Sequence, residues 1–222
     1  MKTIRVVLAD DHTLVRRGLS SLLASDGFIS VVGEAKDGRE LAKKVKDLKP
    51  DIALVDISMP LLNGIDAMPK IRRLSPGTRV IILSMFSDDA YIAQAWEHGA
   101  WGYVLKDEAP EQLIEAICVV AAGEKCFPMD PVPVVARDPL SPREREVLQL
   151  LVEGKKNSEI ASVMMRSLHT VRNHRARLMR KLGAHSAAEL VQAAEEMGVV
   201  QFPRPKDSDE YTEDTASVQR KA

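Results

Sequence analysis

The first half of the chain alternates short apolar runs with longer amphipathic segments. Apolar residues recur at helical spacing in those segments, as at Leu14, Leu19 and Leu22. Short apolar strands alternating with helices imply βαβ units and a parallel sheet, which predicts a doubly wound α/β domain. Its functional crevice is expected at the carboxyl ends of the strands. The predicted strands are Ile4–Ala9, Ser30–Gly33, Ile52–Val55, Val80–Leu83 and Trp101–Leu105.

This first domain is predicted to span residues 1–122, because its last helical segment runs from Pro110 to Ala122. The stretch from Phe127 to Pro133 carries three prolines in seven residues, which neither a helix nor a central strand tolerates. Residues 123–139 are therefore predicted to be an extended linker.

Residues 140–202 show helical spacing throughout and predict an all-α domain of four helices, with breaks near Gly154, Arg166 and Gly183. The domain should begin at Ser141, since Glu144 lies three residues later, as a capping box requires. Residues 203–222 are polar and poor in apolar residues, so they are predicted to be a disordered tail.

The chain has 222 residues, of which 45% are hydrophobic and 28% are charged, as in an ordinary globular protein. We expect no membrane-spanning segment, because no stretch approaches the roughly 18 apolar residues that one needs. Met1–Ile4 runs directly into a strand pattern, so a cytoplasmic protein is expected. Cys118 and Cys126, eight residues apart, are expected to be reduced thiols.

Charge is distributed unevenly along the chain, although the overall net charge is only −1. Residues 1–139 hold 17 basic and 20 acidic residues, whereas residues 140–202 hold 10 basic and 7 acidic ones. Between Arg166 and Lys181 there are six basic residues, two histidines and no carboxylate. This asymmetry predicts an acidic module joined to one that contacts an anion.

Reactive side chains follow the predicted strands. Asp10 and Asp11 come directly after the first strand, and Asp56 ends the third. Ser84 ends the fourth and Lys106 the fifth. Converging carboxylates need a neutralising partner, and Mg²⁺ prefers oxygen ligands of this kind. A carboxylate nucleophile, a hydroxyl, a lysine and a magnesium site together predict phosphoryl transfer.

These motifs, in this order, closely resemble the receiver domain of two-component response regulators over about residues 3–122. The residues that carry the resemblance are Asp10–Asp11, Asp56 followed by Ile57–Ser58–Met59–Pro60 and Gly64, Ser84, and Gly102–Tyr103–Val104–Leu105–Lys106. The resemblance implies a flavodoxin-like fold and phosphorylation of Asp56 by a sensor histidine kinase.

By the same resemblance, Asp10, Asp11, Asp56 and the backbone carbonyl of Ser58 would hold Mg²⁺. Lys106 would pair with the phosphoryl group. Ser84 would move to bond that group, and Tyr103 would rotate inward behind it and so transmit the signal.

Two other interpretations apply to the same carboxylates. Asp10 and Asp11 could cap the following helix, because acidic residues favour helix N-termini. An aspartate nucleophile with Mg²⁺ also occurs in haloacid-dehalogenase-type phosphatases, but these carry a second Asp two positions after the nucleophile, where this chain has Ser58. We therefore expect that the domain handles its own phosphoryl group and is not an enzyme acting on a separate substrate.

The second domain resembles the LuxR-type helix-turn-helix of the NarL/FixJ class over about residues 139–200. That resemblance implies a scaffold helix at 158–165, a recognition helix at 168–182 and a dimerisation helix at 186–197. The residues that carry it are Leu140–Leu148, Glu153–Lys155, Asn157–Ala161, Thr170–His174 and Arg180–Gly183.

The predicted recognition helix has an apolar face at Val171, Leu178 and Leu182 and a basic remainder. Basic side chains and a helix N-terminus suit phosphate contacts, while Arg and Asn can read base edges. A basic face that is merely solvated is the alternative. The predicted contacts to double-stranded DNA are His169, Thr170, Arg172, Asn173, Arg177 and Lys181.

The helix-turn-helix turn departs from the family pattern. A small or polar residue, often glycine, followed by an apolar one is usual, whereas this chain has Met165 and Arg166. A left-handed turn would strain Met165, and Leu168 could supply the missing apolar contact. Pro69 is expected near the start of its helix, where the lost hydrogen bond is best tolerated.

The combined prediction is a response regulator in which phosphorylation of Asp56 controls promoter binding, with a homodimer forming on phosphorylation. Activation would either release the recognition helix from the receiver or present a dimer surface. The alternative is a phosphorylation-independent DNA-binding dimer with a degenerate receiver.

Overall fold

The computed structural model describes residues 3–85, 87, 89–129 and 140–200. Most of the predicted linker and the whole predicted tail lie outside these residues. The first domain contains the strands and helices β1 (Ile4–Ala9), α1 (Thr13–Ser25), β2 (Ile29–Ala35), α2 (Gly38–Leu48), β3 (Ile52–Asp56), α3 (Gly64–Leu74), β4 (Arg79–Ser84), α4 (Asp89–Glu97), β5 (Gly102–Leu105) and α5 (Pro110–Ala122).

The five strands form one parallel sheet in the order β2-β1-β3-β4-β5. This is the flavodoxin-like doubly wound order, so the predicted fold class of the first domain is confirmed. Ala9 pairs with Val55 and Asp56 with Leu83, which brings the carboxyl ends of β1, β3 and β4 to the same edge of the sheet.

Successive strand residues pack against opposite layers of helices. On one face, Val7, Val55 and Ile82 lie in a core with residues of α2, α3 and α4. On the other face, Leu8 and Leu54 lie in a core with residues of α1 and α5. Burial on both faces explains why the strands appear in the sequence as continuous apolar runs.

The second domain is all-α, as predicted. Its core contains the predicted apolar face of the recognition helix, with Val171 and Leu178 fully buried. The predicted capping box is present: Ser141 accepts a hydrogen bond from Glu144 N, and the Glu144 carboxylate accepts one from Ser141 N. The helices are α6 (Pro142–Val152), α7 (Asn157–Met164), α8 (Leu168–Leu182) and α9 (Ala187–Glu196).

The turn between α7 and α8 is left-handed at a non-glycine residue. Met165 has φ 54° and ψ 49°, and its side chain is 84% exposed. Arg166 is exposed, and Leu168 is 39% exposed and lies outside the core cluster of the domain. The turn that the family usually builds with a small residue is therefore formed here with local backbone strain.

The expected position of Pro69 was wrong. Asn63 caps α3 by accepting a hydrogen bond from Asp66 N, which fixes the helix start at Gly64. Pro69 is then the sixth of eleven residues and lies inside the helix, where it cannot donate to the carbonyl of Ile65.

The two domains contact each other through α6, the end of α9 and α7, where Arg39 of α2 donates a hydrogen bond to Val163 O. Helix α6 lies against α3, and Arg145 of α6 forms an ion pair with Asp66 of α3. Beyond α9, Gly198 has φ +61° and approaches Tyr91 of α4 so closely that an added Cβ would lie 2.9 Å from Tyr91 Cε1. No helix in the described part of the chain combines the length and apolarity that a bilayer crossing requires.

Candidate active site and nucleic-acid interface

Two buried carboxylates lie side by side at the carboxyl edge of the sheet. Asp10 follows β1 and is fully buried, and Asp56 ends β3 and is 3% exposed. Asp10 Oδ1 accepts a hydrogen bond from His12 N at 2.7 Å, and Asp56 Oδ1 accepts one from Ser58 N at 3.3 Å. The neighbouring strands β1 and β3 therefore place two charges together in a site largely shielded from water.

Lys106 forms an ion pair with both of these carboxylates. Its Nζ lies 2.8 Å from Asp10 Oδ2 and 2.9 Å from Asp56 Oδ2. Lys106 directly follows β5, and its backbone N donates to Ser84 O at 2.8 Å, which keeps the ends of β4 and β5 in register. One ammonium group thus bridges residues from three strand ends.

Burial and charge act in opposite directions on these groups. Burial raises the pKa of Asp56 above its ordinary value, and the attraction of Lys106 only partly offsets this effect. Burial disfavours the charged ammonium of Lys106, but Asp56 and Asp10 outweigh it and hold the pKa of Lys106 above its ordinary value. An anion added beside Asp56 would therefore meet a protonated lysine.

The acidic cluster has the chemistry of a divalent-cation site. Asp10, Asp11, His12 and Asp56 each offer a ligand atom, and these atoms all lie within 4.8 Å of one another. Two of the carboxylates are buried, while that of Asp11 reaches solvent. A site that offers carboxylate oxygens and is open to solvent on one side suits a hard cation that keeps some of its water ligands. His12 Nδ1 is 2.9 Å from Asp11 Oδ1 and the ring is mostly exposed.

Ser84 and Tyr103 both point into the protein. Ser84 is 1% exposed and lies at the end of β4, next to β3 and β5. Tyr103 is 2% exposed and packs in the core with Ile82 and Ile92. Its backbone N donates to Cys126 O at 2.9 Å, so the start of the linker is attached to β5 beside it. The rotation of Tyr103 on phosphorylation stays a prediction.

Gly64 is required by a close approach of the backbone to the carboxylate site. A Cβ built on Gly64 would lie 2.2 Å from the backbone O of Asp56 and 2.8 Å from Val55 Cγ1. A side chain at this position would therefore push α3 away from the end of β3.

The predicted DNA-contacting residues lie along α8. Ser167 caps this helix by accepting a hydrogen bond from Thr170 N at 3.1 Å. Asn173 Nδ2 lies 3.2 Å from His169 Nε2, one turn away on the same face. The side chains of His169, Arg172, Asn173, Arg177 and Lys181 are exposed, and that of Thr170 is partly buried.

Lys181 already has an anionic partner within its own domain. Its Nζ lies 2.7 Å from Oε2 of the buried Glu144. This contact ties the end of α8 to the start of α6, so a DNA phosphate at Lys181 would share the ammonium with Glu144.

Sequence reasoning missed the residues of α6 that face the first domain. Arg145, Glu146 and Gln149 are all buried although they are polar or charged. The helical pattern gave no reason to place them in an interface, since their partners in the first domain lie at least 76 residues away in sequence. Gln149, with Val152 and Glu153, lines one side of a cleft of about 230 Å³, and Asp11 and Ser58 line it from the first domain.

Comparison with known proteins places both halves of the chain. Residues 6–118 match the family described as "Response regulator receiver domain", and residues 138–194 match "Bacterial regulatory proteins, luxR family". The transcriptional regulatory protein MctR of Rhizobium johnstonii is 38% identical over 207 residues, with 89% of this chain and 95% of MctR covered. The oxygen regulatory protein NreC of Staphylococcus aureus is 37% identical over 217 residues, with 90% and 100% covered.

Solved structures agree with this assignment. The response regulator RcsB of Salmonella typhimurium matches with a TM-score of 0.63 and 30% identity, covering 89% of this chain and 99% of RcsB. RcsB of Salmonella enterica serovar Typhimurium bound to the promoter P1flhDC with the phosphomimetic BeF3⁻ matches with a TM-score of 0.59 and 29% identity, covering 88% and 100%. The chain is thus a response regulator with an N-terminal receiver domain and a C-terminal LuxR-type DNA-binding domain.

Proposed function

We propose that a sensor histidine kinase phosphorylates Asp56 and that this phosphorylation controls sequence-specific binding of promoter DNA, and so transcription. The observation that carries the proposal is the contact of Lys106 Nζ with both Asp10 Oδ2 and Asp56 Oδ2 at the carboxyl edge of the sheet. Phosphoryl-transfer sites of this kind use a buried carboxylate as the nucleophile, with a lysine and further carboxylates beside it. Chromosomal DNA as the target implies action in the cytoplasm.

The chemistry follows from the position of Asp56. One of its carboxylate oxygens attacks the phosphorus of a phosphohistidine on the kinase, and the P–N bond breaks with its electron pair going to the histidine nitrogen. The product is an acyl phosphate on Asp56. Lys106, held between the two carboxylates, would then pair with a phosphoryl oxygen. Attack of water on the same phosphorus breaks the P–O bond to Asp56, releases inorganic phosphate and returns Asp56 as a carboxylate, so the receiver would also limit the lifetime of its own signal.

The metal in this proposal is Mg²⁺. Asp10, Asp11 and Asp56 would hold it with their carboxylates, and Ser58 with its backbone carbonyl. When bound, the ion supplies positive charge that offsets the charge of the phosphoryl oxygens. The three clustered carboxylates support this assignment, since their oxygens are the ligands that hard cations prefer.

The signal would leave the site through Ser84 and Tyr103. Ser84 would bond the phosphoryl group, and Tyr103 would occupy the space behind it, where it already packs in the core. The backbone contact between Tyr103 and Cys126 attaches this part of β5 to the beginning of the linker. A change at Asp56 would thereby reach the segment that joins the two domains.

Exposed side chains on α8 favour one of the two activation routes. His169, Arg172, Asn173 and Arg177 are exposed although the two domains are in contact through α6 and the end of α9. Release of α8 from the receiver is therefore not needed to present these side chains. We favour a dimer surface as the activated feature, with α9 in the interface and the two α8 helices placed on a two-fold site. RcsB dimers bound to DNA are a precedent among the similar structures.

Phosphate-affinity gel electrophoresis tests the phosphoacceptor. The full chain is incubated with acetyl phosphate and Mg²⁺ and compared with Asp56→Asn and with Asp47→Asn, an exposed aspartate on α2. We expect a shifted band in the wild type and in Asp47→Asn but not in Asp56→Asn. A folded wild type without a shifted band would contradict the proposal and favour a phosphorylation-independent DNA-binding dimer.

DNA binding is tested on a duplex selected from a random-sequence library with the phosphorylated chain. We expect phosphorylation to tighten binding by about fivefold or more, a usual size for coupled sites. Arg172→Ala should weaken binding to the selected duplex by about 1–3 kcal/mol, whereas Arg17→Ala, an exposed arginine of α1, should not. Equal affinity with and without phosphorylation would exclude control of DNA binding by Asp56.

A further inference from the structure

Two side chains of the DNA-binding domain hold the loop that follows the phosphoacceptor. We call residues 57–63, between β3 and α3, the acceptor loop. Gln149 of α6 donates from Nε2 to Met59 O at 2.8 Å and accepts at Oε1 from Asn63 N at 2.9 Å. Glu153 accepts at Oε1 from Leu61 N at 2.8 Å. Three backbone groups of the acceptor loop therefore bond to side chains of the other domain.

The side chains of Gln149 and Glu153 are held in place by other contacts of α6. Gln149 is 2% exposed, and its Nε2 also donates to Glu153 Oε1 at 2.9 Å, so the two side chains orient each other. Two ion pairs about one turn before Gln149 hold the helix against α3, with Arg145 bonded to Asp66 and Glu146 bonded to Lys70. Both the nitrogen and the oxygen of the buried Gln149 amide are hydrogen-bonded. Removing this amide is therefore costly, because each of its backbone partners loses a hydrogen bond.

The acceptor loop needs such support. Leu61 has φ 65°, a left-handed conformation that a leucine rarely adopts. Its backbone N is the group that Glu153 binds. At the start of the same loop, Ser58 N donates to Asp56 Oδ1, and in the proposed function the carbonyl of Ser58 is a Mg²⁺ ligand. The bonds from α6 thus fix a strained loop whose first turn belongs to the phosphorylation site.

We propose that Gln149 and Glu153 are positioning residues for phosphorylation of Asp56. By holding Met59, Leu61 and Asn63, they keep the acceptor loop in the conformation in which the Ser58 carbonyl and the Asp56 carboxylate face the same cation. Loss of these bonds frees the loop, so binding of Mg²⁺ must then restore its order and becomes weaker. The coupling is reciprocal, and Mg²⁺ therefore stabilises the contact between the domains. This inference rests on the proposed function.

The test measures Mg²⁺ affinity of the unphosphorylated full chain by isothermal titration calorimetry. Gln149→Ala is compared with Gln192→Ala, an exposed glutamine of α9 that bonds Glu196 of the same helix. We expect the dissociation constant for Mg²⁺ to rise about fivefold or more in Gln149→Ala and to stay unchanged in Gln192→Ala. Initial rates of phosphorylation by acetyl phosphate at limiting Mg²⁺ should fall in parallel.

A second pair of variants covers the case in which Gln149→Ala does not fold. Glu153 lies at the end of α6 and is partly exposed, so Glu153→Ala leaves the core of the domain intact. We expect weaker Mg²⁺ binding in Glu153→Ala and wild-type binding in Glu153→Gln, which keeps an oxygen acceptor for Leu61 N.

The outcomes separate this inference from the proposed function. If the wild type binds Mg²⁺ and is phosphorylated, but folded Gln149→Ala and Glu153→Ala match it in affinity and rate, the positioning role is refuted and the proposed function stands. If the wild type neither binds Mg²⁺ nor accepts phosphate, the proposed function fails and this inference fails with it.

Discussion

Arg145 and Asp66 form an almost completely buried ion pair between the two domains. Arg145 Nε lies 2.7 Å from Asp66 Oδ1, and the two side chains are only 4% and 6% exposed. The residues are 79 positions apart in sequence, so the bond exists only when α6 lies against α3. Removing one partner of such a pair leaves the other charge buried and uncompensated.

Asp66→Ala is therefore expected to weaken the contact between the domains. The loss should be about 3 kcal/mol, in the range for breaking a buried pair, and it should appear in urea unfolding as an earlier transition. Adding Arg145→Ala to Asp66→Ala should cost less than the sum of the two single changes, because the second change removes the unpaired charge. Strict additivity would show that the pair is not coupled.

Lys106→Ala should destabilise the receiver domain and make its stability dependent on Mg²⁺. Without the ammonium, Asp10 and Asp56 are buried together with no cation bonded to them. We expect a loss of about 3 kcal/mol in the absence of Mg²⁺. Added Mg²⁺ should raise the melting temperature more in Lys106→Ala than in the wild type, at matched ionic strength. An equal rise in both proteins would argue against a cation bound between these carboxylates.

Met165→Gly should stabilise the DNA-binding domain. Met165 has a left-handed backbone and an exposed side chain, so glycine relieves strain without losing buried contacts. The expected gain is about 1 kcal/mol in the free energy of unfolding. Ser162→Gly, at an exposed position within α7, is the matched control and should lower the stability by about 0.5 kcal/mol. A loss in Met165→Gly would show that the methionine makes a contact of its own.

Glu144 should make the DNA-binding domain sensitive to acid. Burial acts to raise its pKa, but hydrogen bonds from Lys181 and Ser141 hold the pKa at about 2, below the ordinary value of 4.5. Because the folded-state pKa is the lower one, this stabilisation is complete above about pH 4.5 and is lost as the pH falls toward about 2. Its size is on the order of 1 kcal/mol, as for other capping side chains and partly exposed ion pairs.

Glu144→Gln removes the titrating group and serves as the control for this effect. Urea unfolding at pH 7, 4.5 and 3 should show a smaller decrease in stability between pH 4.5 and 3 for Glu144→Gln than for the wild type. Identical pH profiles would mean that Glu144 does not titrate differently in the folded and unfolded chain.

Residues that begin or end helices allowed the bounds of several helices to be predicted from the sequence. The bounds of α5 and α8 agree with the prediction, because Pro110 begins one helix and Gly183 ends the other in a left-handed conformation. The grouping of Asp10, Asp56 and Lys106 was also predictable, since parallel strands bring their carboxyl ends to one edge.

The interface between the domains could not be predicted in the same way. Helical periodicity shows which residues share a face but not which distant segment covers that face. Gln149 is polar and would be placed in solvent by its residue type, yet it is buried against backbone groups 86 and 90 positions earlier in the chain. Pro69 was misplaced for a more local reason, since the cap at Asn63 sets the helix start five residues before the proline.

The close approach of Gly198 to α4 limits how freely the two halves can be recombined. Its positive φ would strain any other residue, and an added Cβ at 2.9 Å from Tyr91 Cε1 would force the Tyr91 ring to shift while the domains are in contact. Gln94 Nε2, on the same helix as Tyr91, donates to the carbonyl of Met197 just before it. A chimaera that grafts a foreign DNA-binding domain onto this receiver would need a glycine at this point, and a receiver with a bulkier α4 would reject this domain. Steric fit at this backbone position is thus one restriction on the exchange of output modules, beside the polar contacts of α6.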